Sequence, residues 1–188
     1  MNLRDAIHAR RAVRAYKPVA VDEVTVRQLL HEAVQAPSAM NAQPWVFSIV
    51  QDRARLRRYS DRAKRHLIEL AATEPKVRAY AEMLRDEAFN IFYDAGTLIV
   101  IGVRERTAFS EADGWLAAQN LMLSACEAGL GTCCIGLAVA MLNLPEVKQE
   151  LAIPAEGAAI APIILGAPSS SPAPVGRKEP HIASWLRG

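Results

Sequence analysis

The spacing of apolar residues predicts helices alternating with short strands along the chain. Val26, Leu29, Leu30 and Ala33 recur at helical intervals and make one apolar stripe. They predict a helix from Asp22 to Gln35, capped by Asp22 and stopped by Pro37. A shorter first helix spans Asn2 to His8, with Asn2 as its cap. Trp45 to Val50 reads as a short strand. Thr97-Leu98-Ile99-Val100-Ile101-Gly102-Val103 is a continuous β-branched run, which predicts a central strand buried on both faces. Ala158 to Gly166 is another apolar strand. Between these lie a strongly basic helix, Arg53 to Leu70, and beyond Pro75 a helix from Val77 to about Tyr93. The mixed charges Arg85, Asp86 and Glu87 give the latter an exposed face, and Phe89, Phe92 and Tyr93 make its end a piece of core. Glu111 to Ala128 carries Trp115, Leu116, Ala118, Leu121, Met122 and Ala125. It is apolar over much of its circumference, so it belongs in the middle of the fold or in a subunit interface. Gly129 stands where a helix C′ residue would. A weak helix starts near Pro145 and ends before Pro154.

The connections carry the candidate chemistry. Pro37-Ser38-Ala39-Met40-Asn41-Ala42-Gln43-Pro44 joins a helix to a strand, and Gln43, before a proline, cannot continue a helix. Ser38, Asn41 and Gln43 offer donors and acceptors. The stretch is either a rigid loop that grips something polar or an ordinary helix-to-strand turn. Arg10, Arg11, Arg14 and Lys17 crowd into eight residues of extended chain ending at Pro18. They form either a solvated basic edge or an anion site, since arginine pairs bidentately with phosphate. Gly129, Gly131 and Gly136 bracket a short strand, as suits backbone that approaches a flat ligand closely. The dinucleotide pattern G-x-G-x-x-G fails there: the third glycine comes two residues late and no helix follows directly. From Ala167 the chain is rich in Pro and Ser and reads as a flexible or extended arm, closing on the basic Gly176-Arg177-Lys178-Glu179-Pro180.

Composition narrows the class. The 188 residues suit a single domain over 1–188, with 167–188 as a C-terminal arm. A net charge of +2 is too weak to argue for nucleic acid as the main partner. No apolar run approaches the roughly 18 residues of a membrane span, and the charged start lacks the apolar core of a signal peptide. A cytoplasmic protein is expected. Cys126, Cys133 and Cys134 are odd in number and lack C-x-x-C spacing, so they read as small buried hydrophobes in a reducing compartment. His31-Glu32 lacks the second histidine of a zinc motif, because position 35 is Gln35. No metal site is expected.

Four segments, in order, resemble the nitroreductase family: Arg10-Arg11-Ala12-Val13-Arg14, the Pro37–Trp45 loop, the Gly129–Gly136 strand and Gly176-Arg177-Lys178-Glu179-Pro180. The resemblance implies an α+β fold, a mostly antiparallel sheet wrapped by helices. It also implies an intertwined homodimer with FMN at each of two interface sites and a C-terminal arm reaching across to the partner. It implies ping-pong hydride transfer from NAD(P)H through FMN to a nitroaromatic, quinone or similar small acceptor. A flavin carrier or redox sensor without turnover, and a specialised dehalogenase or flavin-fragmenting relative, remain as alternatives. By the same resemblance the cofactor-binding residues are Arg10, Arg11, Ala12 and Arg14, then Pro37, Ser38, Ala39, Asn41 and Gln43 from the other subunit. Cys134, Ile135 and Gly136 would lie beside the flavin, where an N–H can face N5, and Arg177 or Lys178 would complete the phosphate site. Arg14 is the candidate cation near the N1 and O2 edge, and Val77–Tyr93 the candidate acceptor-pocket lining. Ala12 departs from the family, where serine is common. No side-chain acid, base or nucleophile is expected to be catalytic.

Overall fold

Four strands make one antiparallel sheet in the order β1-β2-β4-β3: β1 (Trp45–Val50), β2 (Thr97–Val103), β3 (Gly131–Cys134) and β4 (Ala158–Gly166). The computed structural model describes residues 1–170 and 172–187; Ser171 of the arm and the final Gly188 lie outside the described residues. Strands β2 and β4 occupy the middle and are buried at every position, as continuous apolar runs require. Alternate side chains of the two central strands feed two cores. Ile99, Ile101, Ile163 and Leu165 meet the helices α2 (Glu23–Ala33) and α6 (Ala108–Glu127). Leu98, Val100 and Ile164 face α3 (Arg53–Leu70) and α7 (Val139–Leu142). The sheet is thus sandwiched between helical layers. The expected α+β architecture is borne out.

Local chemistry sets the helix ends. Asn2 caps α1 (Leu3–Ala9), Asp22 caps α2 and Asp52 caps α3, each accepting a backbone N–H near the start of its helix. Helix α6 begins three residues before the expected Glu111, because Thr107 and Ser110 form a reciprocal capping box. It ends in a Schellman motif: the Leu130 N–H donates to Ala125 O at 2.8 Å and the Gly129 N–H to Cys126 O at 3.1 Å, with Gly129 at φ +73°.

The helix expected over Val77–Tyr93 does not form. Only α4 (Pro75–Arg78) and α5 (Ala81–Arg85) are helical, and the chain then leaves the helix. The Asp86 carboxylate accepts the Ala88 N–H at 2.9 Å, and the Asn90 side chain accepts the Phe92 N–H at 3.0 Å. These local bonds offer the backbone an alternative to the helix ladder. Tyr93 and Asp94 then turn left-handed, at φ +51° and +53°. That conformation costs roughly 1–2 kcal/mol per non-glycine residue. Helix α3 holds the segment in place. Lys64 Nζ donates to Asp86 O at 3.0 Å and Phe89 O at 2.9 Å, Arg57 to Glu87 O at 2.6 Å, and Arg53 to Asp94 O at 3.3 Å. Arg53, Arg57 and Lys64 of the basic run of α3 are therefore engaged with carbonyls of its neighbour.

The outer edge of β3 is covered by the N-terminal segment. Ala12 bridges Thr132 in parallel, and Tyr16 bridges Pro168. The Val13 N–H donates to Thr132 O at 2.9 Å. After Pro168 the chain runs on without regular structure, leaving Ile182, Trp185 and Leu186 exposed. Helix α8 (Pro145–Glu150) and a 3-10 turn, Gly136–Ala138, complete the elements used below. Among the described residues, no helix is long and apolar enough to cross a membrane.

Candidate functional site

The segment laid along β3 carries the cations. Arg10 is half-buried and Arg14 exposed, with the Arg14 guanidinium 5.8 Å from the centroid of the Tyr93 ring. Both lie close enough to Cys133 to act on its thiol: burial pushes that thiol up, and Arg14 and then Arg10 pull it back. Arg11 turns away. It donates to His8 O at 2.5 Å and Arg10 O at 2.8 Å, closing the end of α1, while its Nε is buried without a partner. Arg10, Arg11, Thr132 and Cys126 line a cavity of about 190 Å³ that Pro172 also borders.

Two glycines of the next stretch play opposite steric parts. A Cβ on Gly131 would lie 2.7–2.8 Å from three carbons of Val13, so only glycine lets the cationic segment sit this close to β3. A Cβ on Gly136 would meet nothing within 4 Å. The Ile135 N–H is engaged with Pro162 O at 2.8 Å, so it is not free to face a ligand. Gly136 opens the 3-10 turn, which leaves its N–H without a partner in that turn. Of the two backbone donors expected beside a flavin, Gly136 is the one that remains. Burial, then the neighbouring Cys133, pushes the Cys134 thiol up to about 11. Neither thiol is a thiolate near neutral pH, so neither is an activated nucleophile. The described residues contain no His, Cys, Asp or Glu cluster able to hold a metal.

The Pro37–Gln43 loop is held by local and distant hydrogen bonds. Met40, Asn41 and Gln43 are all left-handed, at φ 51°, 54° and 46°. Ser38 Oγ accepts the Gln43 N–H at 3.0 Å, and Gln43 Nε2 donates to Asn41 Oδ1 at 3.0 Å. The loop is pinned from a distance. The Ala39 N–H donates to the Asp113 carboxylate at 3.1 Å, Trp45 Nε1 to Asp113 O at 2.9 Å, and Arg104 reaches the Ala42 and Gln43 carbonyls. Asp113, only 5% exposed on α6, was missed by reasoning from sequence. Its one signal was a carboxylate in the second turn of an otherwise apolar helix.

The loop and the arginines do not meet within one chain. The loop is tied to α6 at Asp113, whereas the arginine cavity lies at Cys126. At 1.5 Å rise per residue these points are about 20 Å apart along the helix. Arg177 and Lys178 are not brought to Arg10 and Arg14 either. They lie on the exposed arm, where, among the described residues, Arg177 donates to Val175 O and Gly176 O of its own segment.

The chain thus carries a cationic edge, an open backbone face and a hydrogen-bonded polar loop. Residues 7–167 match the family described as the Nitroreductase family. The chain belongs to the nitroreductase family. The matched stretch holds Arg10–Arg14, the loop and Gly136, and stops short of Arg177 and Lys178. Among nitroreductase relatives, the chain is 34% identical over 182 residues to a 5,6-dimethylbenzimidazole synthase of Rhodospirillum rubrum, covering 89% of this chain and 84% of that one. It is 28% identical over 193 residues to an NADH dehydrogenase of Thermus thermophilus, covering 90% and 88%. A nitroreductase of Bacteroides fragilis, solved with bound FMN, superposes with a TM-score of 0.82 at 23% identity, covering 99% and 98%. That likeness establishes the common fold.

Proposed function

We propose that this nitroreductase-family chain is an FMN-dependent oxidoreductase that takes hydride from NADH or NADPH and delivers electrons to a nitroaromatic, quinone or similar small acceptor. It acts in the cytoplasm as a homodimer, with one FMN at each of two subunit interfaces. The observation that carries this reading is the separation of the half-sites along α6. A single ligand touching both the arginines and the polar loop needs the loop of a second copy. The apolar residues that α6 and the arm leave exposed, among them Phe109, Trp115, Leu116 and Trp185, support the same assembly.

The residues suit the cofactor. Arg10 would hold the phosphate, joined by Arg177 or Lys178 of the arm, with Arg11 on the same cavity wall. Charge-assisted hydrogen bonds of this kind contribute on the order of 1.5–3 kcal/mol each. Arg14 would face the pyrimidine edge, where a fixed cation favours developing negative charge. Pro37, Ser38, Ala39, Asn41 and Gln43 of the second copy would lie against the ring. Gly136 would place its free N–H beside N5, with Cys134 and Ile135 as flanking backbone. Ala12 supplies no hydroxyl, so the side-chain bond that a serine would make there is missing. When bound, FMN supplies the hydride chemistry, and the protein supplies position and field.

The likeness to a 5,6-dimethylbenzimidazole synthase favours one second reading, in which the flavin is itself consumed. Anaerobic titration of the purified protein with NADH and NADPH, followed in separate portions by an acceptor or by dioxygen and then by chromatography of the released flavin, separates the two. The proposal expects bound FMN that bleaches and returns unaltered on adding acceptor. Loss of FMN to fragments favours the second reading. FMN that neither nucleotide bleaches marks a carrier, and a protein that takes up no FMN refutes the proposal. Light scattering must show twice the 20.5 kDa chain mass.

A further inference from the structure

We infer that Tyr93 is a positioning residue: its ring face fixes the direction of the Arg14 guanidinium, and so tunes how the protein holds the reduced flavin. The inference rests on the FMN reading above.

The tyrosine is itself held with unusual firmness. Its backbone is left-handed at φ +51°, and its N–H donates to Asn90 O at 2.8 Å. Asn90, 7% exposed, accepts the Phe92 N–H at 3.0 Å and donates to Asp94 Oδ1 at 2.8 Å. Phe92 is fully buried and anchors the segment in the core. The Ile91 N–H donates to Ser60 Oγ of α3 at 3.1 Å. Phe89 meets the Tyr93 ring edge-on, with centroids 5.8 Å apart and an interplanar angle of 80°. Residues kept in sparsely populated backbone regions persist where their surroundings over-determine them, and they gather at functional sites.

The ordinary role of an aromatic here is core filling, and Phe92 performs it. Tyr93 remains half-buried, its hydroxyl has no hydrogen bond among the described residues, and its ring lies 5.8 Å from the Arg14 guanidinium carbon. What it offers Arg14 is therefore the negative face of the ring. An exposed arginine on a flexible stem samples many directions. A ring bound to a rigid segment selects one, and preorganisation of this kind raises affinity without adding a contact to the ligand.

The test compares Tyr93→Phe, Tyr93→Leu, Arg14→Ala and the double variant Tyr93→Leu/Arg14→Ala with the parent. The readouts are the FMN dissociation constant, the midpoint potential of bound FMN, and the thermal melt without FMN. Tyr93→Phe keeps the ring face and should match the parent. Tyr93→Leu should bind FMN about two- to fivefold more weakly, the range of an exposed cation–π contact. Its midpoint potential should also fall, since the displaced cation no longer favours the electron-rich ring. In the Arg14→Ala background, Tyr93→Leu should change neither quantity. Tyr93→Met, similar in bulk but without a π face, replaces Tyr93→Leu if that variant does not fold. Equal affinity and potential in Tyr93→Leu and the parent overturn the inference, as does an undiminished effect in the Arg14→Ala background. If the parent itself binds no FMN, this inference and the FMN reading fall together. If the parent binds FMN and only the Tyr93 variants behave like it, this one alone falls.

Discussion

Gly131→Ala tests the joint between the cationic segment and the sheet. The new Cβ would stand 2.7 Å from Val13 Cγ2 and 2.8 Å from both Val13 Cβ and Cγ1. Val13 is 5% exposed, and because the clash includes its Cβ, rotation about χ1 cannot relieve it. The segment must instead withdraw by about 0.7 Å to reach an ordinary 3.4 Å contact. That movement stretches the 2.9 Å bond from the Val13 N–H to Thr132 O. Overpacking of this sort costs about 1–3 kcal/mol. For a chain of 188 residues, each kcal/mol lowers the melting temperature by roughly 2–4 °C. A fall of about 2–12 °C is expected in a thermal melt, with weaker FMN binding because Arg10 and Arg14 flank Val13. Val13→Ala removes two of the three colliding carbons, so in the Gly131→Ala background it should cost less than it does alone. In the parent, that truncation should cost at least about 1.5 kcal/mol for two buried methyls. A Gly131→Ala protein that melts within a degree of the parent, or strict additivity of the two substitutions, refutes the packing described here.

Other expectations follow from the same geometry. Arg10→Ala should weaken FMN binding about ten- to a hundredfold, the equivalent of one charge-assisted bond. Arg53→Ala, which loses only a 3.3 Å bond to Asp94 O, should bind FMN nearly as the parent does; equilibrium dialysis compares them. Gly136→Val enters open space, so it should melt normally and retain FMN yet transfer hydride from NAD(P)H far more slowly in stopped-flow bleaching. The Tyr59 phenol is pushed up to about 12, first by burial and then by Glu150. A raised folded value means stability is intact below the ordinary value near 10 and declines as pH rises toward 12. Tyr59→Phe should flatten that decline in urea melts at alkaline pH.

What could be read in advance was what neighbours in sequence decide. β2 and β4 announce themselves by unbroken apolar runs, the caps Asn2 and Asp22 by their side chains, and the end of α6 by Gly129. The missing helix over Val77–Tyr93 was not legible, because the competing bonds depend on groups far away. Asp86 and Asn90 hint at turns, yet the carbonyls they free are held by Arg53, Arg57 and Lys64 of α3. The loop shows the same division. Its polar residues were visible, whereas Asp113, 74 positions from Ala39, and Arg104, 61 from Gln43, declare nothing locally. Arg10, Arg14 and Gly136 were singled out by residue type and by resemblance to family motifs. The distance between the two half-sites emerged only once α6 was seen as a rod joining them.

That rod has a genetic meaning. In the proposed dimer each chain carries the arginines of one site and the loop of the other, so it can be wounded twice, in separable ways. An Arg10→Ala chain retains a sound loop, and an Asn41→Ala chain retains sound arginines. Each alone should form dimers with two defective sites. Unfolded together and allowed to reassemble, half the dimers from an equal mixture are hybrids, each with one wholly intact site and one doubly damaged. Roughly a quarter of all sites should then regain parental flavin binding. Two dead proteins would complement each other in a test tube, as two alleles do in a cell, and a site confined to one chain has no means of doing so.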